Sequence, residues 1–206
     1  MHLEARRFTL FVKSLFPNFF TGDFNVLDVG SGDINGNNNY LFDSSCKYNG
    51  NDVFQAKNVT IVCKTSSLPF ENNYFKTICS TECFEHDPEY KQSFQKIYDM
   101  LEPGGLFFFT CASIGRPEHG TRRTTPQDSY GTIGNVSGWT DYYKNLTIDD
   151  LDEALNLDES FSQYESFYNA HSKDLYFWGI KKSSDNLYNK NITSYKDVGV
   201  IATKKK

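Results

Sequence analysis

Apolar positions at Phe8, Phe11, Val12, Leu15 and Phe16 fall on one helical face, and Pro17 ends the pattern. An amphipathic packing or lid helix is expected there. The period then changes. Val26-Leu27-Asp28-Val29 is an apolar run carrying one acid, and it leads directly into Gly30-Ser31-Gly32, as a buried parallel strand does beneath a ligand. Residues 37–42 predict a short helix, 46–53 a second strand ending on Asn51-Asp52, 58–63 a third, and 74–80 a fourth. Leu68-Pro69-Phe70 closes the loop between the last two. Asp87 is placed to cap a helix whose first residue is Pro88, with Tyr90, Phe94, Ile97, Tyr98 and Leu101 on its buried face. Pro103-Gly104-Gly105 ends that helix and turns the chain into 106–111, an apolar strand of the kind buried on both faces. Residues 113–143 hold no sustained period, which is long for a structureless connection. Beyond them, 147–157 predicts a helix with a Thr-x-x-Asp start. Residues 161–168 and 175–180 predict a terminal hairpin, and the tail has room for a strand at 198–203. Strand and helix alternate and a hairpin closes the series. The expected class is α/β: an open twisted sheet, mostly parallel with an antiparallel C-terminal hairpin, with helices on both faces.

Composition narrows this without changing it. At 206 residues the chain suits one domain, with an N-terminal helix in 1–22, a core over 23–182 and a tail over 183–206. A net charge of −5 argues against nucleic acid as a partner, because phosphate binding draws on clustered Lys and Arg. Charged residues interrupt the apolar ones in 1–20, and no segment reaches the length of a membrane span, so a cytoplasmic protein with no membrane partner is expected. The five cysteines are odd in number and mostly lie in apolar runs, which reads as reduced thiols rather than a disulfide or zinc framework.

Candidate chemistry begins at the glycine turn. Gly30-x-Gly32 with a later Gly36 does not have the Gly-x-Gly-x-x-Gly spacing of a dinucleotide fingerprint. Asp52 lies 20 residues beyond Gly32 at the end of the next strand, where a carboxylate accepts hydrogen bonds from ribose hydroxyls. Val-Leu-Asp28-Val-Gly30-Ser-Gly32, Tyr48-Asn-Gly50-Asn-Asp52-Val53, Leu68-Pro69-Phe70, Phe75 to Glu82 with Glu85-His86, and Leu101-Glu-Pro103-Gly104-Gly105-Leu106 follow one another in that order. In this the chain resembles the class I S-adenosylmethionine-dependent methyltransferases, and in particular small sugar or surface-glycan methyltransferases. The resemblance implies a Rossmann-like sheet, S-adenosylmethionine as cofactor and S-adenosylhomocysteine as product. It implies cofactor contacts at Asp28, Gly30, Ser31, Gly32, Asp52, Val53, Thr65 and Ser80. It also marks departures: Ile34 where the family has a third glycine, Lys64 where an acid often meets the adenine, and Lys76 after the aromatic pair Tyr74-Phe75.

Methyl transfer from a sulfonium is an in-line displacement that requires alignment and a dry pocket, so no metal is expected. A hydroxyl acceptor needs a base, and His86 and His119 are the candidates. Arg116, Arg122 and Arg123 with Glu118 offer charged contacts to a small-molecule or glycan acceptor. Tyr143, with Tyr130, Trp139 and Tyr142, offers faces for sugar stacking. A hydroxyl-directed methyltransferase is the leading reading. A non-catalytic domain of the same fold and a nicotinamide-dependent oxidoreductase are the alternatives.

Overall fold

The computed structural model describes residues 2–184 and 200–205. Its helices are α1 (Leu3–Leu15), α2 (Tyr90–Met100), α3 (Tyr130–Ile133), α4 (Ile148–Leu155) and α5 (Leu157–Ser160). Its strands are β1 (Asn25–Val29), β2 (Lys47–Asp52), β3 (Ile61–Val62), β4 (Phe75–Thr81), β5 (Leu101–Ala112), β6 (Phe161–Asn169), β7 (Asp174–Lys181) and β8 (Val200–Lys205). The sheet order is β3-β2-β1-β4-β5-β7-β6-β8, parallel from β3 through β5 and antiparallel thereafter. The chain reverses direction across the sheet between β1 and β4. That switch point opens a crevice beyond the carboxyl ends of both strands.

Period-2 alternation in β5 and β7 builds two cores. Phe107, Phe109 and Cys111 face α2, α4 and α5 together with Leu175 and Phe177, whereas Leu106 and Phe108 face the opposite side with Tyr176, Trp178 and Ile180. On that opposite side Phe8 of α1 stacks on Tyr176 at 4.8 Å, and Phe16 packs on Trp178 at 5.2 Å. The amphipathic N-terminal helix is thus a packing element of the sheet. Its first residue is preceded by His2, the N-cap, which is thereby carried to the crevice end of the strands.

Several local expectations are corrected. The helix expected at 37–42 is a single 3-10 turn, Asn39–Leu41. Asn side chains compete with the helical backbone: Asn37 accepts from the Asn39 amide, and Asn38 donates from both amide groups to Asp28. Asp87 does not cap at Pro88; α2 starts at Tyr90 after Glu89, and the Asp87 carboxylate instead accepts from the Glu89 amide and the Ser93 hydroxyl. Leu101 belongs to β5, where residues 102–105 form an irregularity between the pairs Phe75↔Leu101 and Thr77↔Leu106. The Thr-x-x-Asp start is present, with the Thr147 amide donating to Asp150 at 2.8 Å, but Asn156 in a left-handed conformation divides the expected helix into α4 and α5. Strand β3 is two residues long instead of six. The extra tail strand forms as β8 beside β6, although residues 198 and 199 of its expected span lie outside the described residues.

Candidate active site

Gly32 and Asp52 meet at the switch point. The Gly32 amide donates to Asp52 Oδ2 at 3.2 Å, and the Val53 amide donates to Oδ1 at 2.7 Å. A Cβ at Gly32 would stand 2.8 Å from that carboxylate and 2.4 Å from the Tyr130 ring, so only glycine leaves this cradle open. Burial pushes the Asp52 carboxyl up to about 6, against the pull of the Val53, Gly32 and Phe54 amides. It is an acid with acceptor capacity to spare, which is what paired ribose hydroxyls satisfy.

A cavity runs from this cradle across the ends of β1, β4 and β5. Gly30, Gly32, Asp52, Val53 and Thr65 of the expected cofactor contacts line it. Ile34, Asn35, Gly36, Tyr130 and Trp139 also do, with Tyr130 reaching in from the long irregular segment to donate to the Asp33 carbonyl. Three expected contacts lie outside the lining. Asp28 is buried below the turn, where it accepts from both Asn38 groups and from Tyr48 Oη at 2.6 Å; burial raises its pKa. Ser31 donates to the Asn58 carbonyl, and Ser80 to the Val29 carbonyl. These three shape the turn from behind. Lys64, at the position of the missing acid, pairs with Glu89 at 2.7 Å and lies over the Trp139 ring at 4.4 Å.

The other half of the cavity is polar. Glu82 follows β4 in a left-handed conformation, φ 53°, an uncommon backbone for a non-glycine residue and one that here turns its side chain inward. Its carboxylate accepts from Thr110 at 2.8 Å and faces His2 Nε2 at 3.3 Å and Arg116 at 3.9 Å. His2 Nε2 also stands 2.9 Å from Asp174, to which Arg116 donates at 2.9 Å. Burial works against a charged His2, but the Asp174 and Glu82 carboxylates outweigh it and push the ring up to about 10. Sequence reasoning missed His2 and Glu82. Nothing in a second residue signals that it meets positions 82 and 174.

Both candidate histidines line this half. Gly120, at φ +72°, carries the loop so close to His86 that a Cβ would stand 2.5 Å from its ring. His119 is thereby brought against His86, ring centres 5.0 Å apart, and Tyr143 packs on both. Burial, together with the neighbouring His119, lowers His86 to about 4 and keeps it neutral. Of the expected acceptor contacts only Arg116 lines the cavity. Glu118 and Arg123 pair with each other at 2.9 Å, Arg122 pairs with Asp141 at 3.5 Å, and Tyr143 Oη lies 2.8 Å from Asn145 and 3.1 Å from the Pro117 carbonyl. These four fasten the loop that carries His119.

Residues 27–109 match a family model described as a methyltransferase domain. No curated protein matches the chain. Among solved structures, a phosphoethanolamine N-methyltransferase from Haemonchus contortus in complex with S-adenosylmethionine superposes at TM-score 0.57 and 17% identity, over 86% of this chain. The chain spans about half of that enzyme, 53%. A Burkholderia thailandensis 1,6-didemethyltoxoflavin-N1-methyltransferase with its substrate and S-adenosylhomocysteine superposes at 0.58 and 16%, over 88% of this chain and 79% of the other. The YcgJ protein of Bacillus subtilis does so at 0.56 and 14%, over 89% and 100%. The fold is the Rossmann-like one of these methyltransferase structures. The first of these neighbours holds S-adenosylmethionine and the second S-adenosylhomocysteine. Among the described residues no helix is long and apolar enough to cross a membrane.

Proposed function

We propose that the chain transfers a methyl group from S-adenosylmethionine to a hydroxyl of a small, sugar-like acceptor. The observation that carries this reading is the Gly32–Asp52 cradle opening, within one cavity, onto a pocket lined by His86 and His119. The cofactor, when bound, supplies an activated methyl on a sulfonium. The protein's own part is alignment: Asp52 accepts from the ribose, the turn at 30–36 follows the cofactor's backbone, and Tyr130 covers it. The charged ring of His2 and the Glu82 and Arg116 side chains offer donors and acceptors side by side, which suits a polyhydroxyl compound. Removal of the hydroxyl proton is assigned to the region of His86 and His119, the imidazoles that face the reacting end.

The test is turnover. Release of S-adenosylhomocysteine should be measured with panels of sugars, simple polyols, amines and carbon acids. Turnover confined to hydroxyl compounds supports the assignment; turnover on amines alone overturns it in favour of N-methylation, and cofactor binding without turnover on any panel favours a non-catalytic domain. A second expectation concerns pH. Because the Asp52 carboxyl sits near 6, its ionised form is lost below that pH, and S-adenosylhomocysteine affinity should fall about tenfold by pH 5 relative to pH 8. Calorimetric affinities across that range check it, and a flat profile contradicts a ribose contact at Asp52.

A further inference from the structure

Glu85 sits in the 3-10 turn after β4 with its side chain fully buried, and neither carboxylate oxygen has a hydrogen-bond partner. Leaving such a group unpartnered is costly. The backbone amides of Glu85 and Ala112 lean toward the carboxylate, and two imidazoles arranged alike stand beside it. His119 Nδ1 contacts the Pro117 carbonyl at 3.2 Å, which leaves Nε2 facing Glu85 Oε1 at 3.8 Å. The His86 ring is hydrogen-bonded to the Tyr142 backbone, and its buried Nδ1 has no partner. One ligand atom from each of Glu85, His86 and His119 lies within 4.8 Å of the others. A ring nitrogen fixed on a carbonyl while the other is left free is how the protein orients a histidine that binds metal.

We infer that Glu85, His86 and His119 form a binding site for a divalent transition-metal ion, with Zn²⁺ the chemistry that fits best, at the acceptor end of the cavity. Two imidazoles and one carboxylate are a ligand set for a borderline ion, and three protein ligands leave a position open for substrate. Ligands about 2.0–2.2 Å from one ion stand within roughly 4 Å of each other, so a small inward movement of His119, on its loop, completes the set. The neighbouring group His2, Glu82 and Asp174 also clusters three ligand residues, but Arg116 already neutralises it. The inference rests on the proposed methyl transfer and deepens it, and it departs from the sequence-based expectation of no metal. An ion here lowers the pKa of the acceptor hydroxyl. With both imidazoles on the ion, they would assist proton removal through it and not as bases: the hydroxyl proton leaves to water, the oxygen forms the new bond to the methyl carbon, and the carbon–sulfur bond breaks with its electron pair remaining on sulfur.

The test uses the full chain, stripped with a chelator, titrated with Co²⁺ and followed by its visible absorption, then back-titrated with Zn²⁺. One equivalent should bind, and His119→Ala and Glu85→Gln should each weaken binding at least tenfold, with S-adenosylhomocysteine affinity unchanged. No saturable Co²⁺ binding by the unaltered protein, or equal affinity in the variants, overturns the site. His119 lies on a surface loop, so its variant decides the matter even if Glu85→Gln does not fold. Co²⁺ binding is read independently of S-adenosylhomocysteine binding. A chain that binds the product but not the ion loses only this inference, and one that binds the ion but not the product loses the methyltransferase reading.

Discussion

His119→Ala should lower turnover on a hydroxyl acceptor about 10²- to 10⁴-fold, the range spanned by loss of assisted proton removal, and leave S-adenosylhomocysteine affinity within about twofold. The asymmetry follows from position. His119 stands with His86 and Arg116 in the polar half of the cavity, whereas the cradle of Gly32 and Asp52 is built on β1 and β2. Nothing in that cradle leans on the imidazole. The fold should also be largely indifferent, because the His119 side chain meets the Pro117 carbonyl, the Glu85 carboxylate at 3.8 Å and the rings of His86 and Tyr143 without filling the core. Rates under saturating cofactor, with calorimetry on the same preparation, separate the two effects. Full turnover in the variant would place the reacting oxygen elsewhere.

Asp52→Ala should weaken S-adenosylhomocysteine binding about 10- to 100-fold, since two charge-assisted ribose hydrogen bonds are worth roughly 1.5–3 kcal/mol. The same change frees the Gly32 and Val53 amides that Asp52 now accepts from. Part of that structural loss is offset, because the carboxyl is buried at a cost that its raised pKa records. A small change in melting temperature is therefore expected beside a large change in affinity. Asp52→Asn, which keeps size and one acceptor oxygen, should fall between the two. Wild-type affinity in Asp52→Ala would mean that another group holds the ribose.

The sheet was largely legible because its information is local. The continuous apolar run at 106–111 and the alternation at 175–180 are each read from neighbouring residues alone, and the structure buries the first on both faces, with Phe107 and Phe109 opposite Leu106 and Phe108. Asp52 was legible for a related reason: a 20-residue interval and a strand end fix its place along the chain. Which way a residue faces near a turn was not. Asp28, Ser31 and Ser80 lie at the expected strand ends and turn, yet their side chains go to Asn38, Asn58 and Val29 behind the cradle. The helix expected at 37–42 failed because the Asn38 and Asn39 backbone amides are taken by the Asp28 carboxylate and the Asn37 side chain. The polar half of the cavity was the least legible. It joins residues 2, 82, 116 and 174, and such contacts depend on where the N-terminal helix docks, which no local pattern encodes.

Calorimetric titration of the purified chain with S-adenosylhomocysteine tests the central claim most directly, because it needs no knowledge of the acceptor. The account predicts one site per chain with micromolar affinity, weakened in Asp52→Ala and at pH 5. Absence of any binding heat at millimolar product would contradict it, and would make the glycine cradle a structural turn in a protein that no longer takes the cofactor.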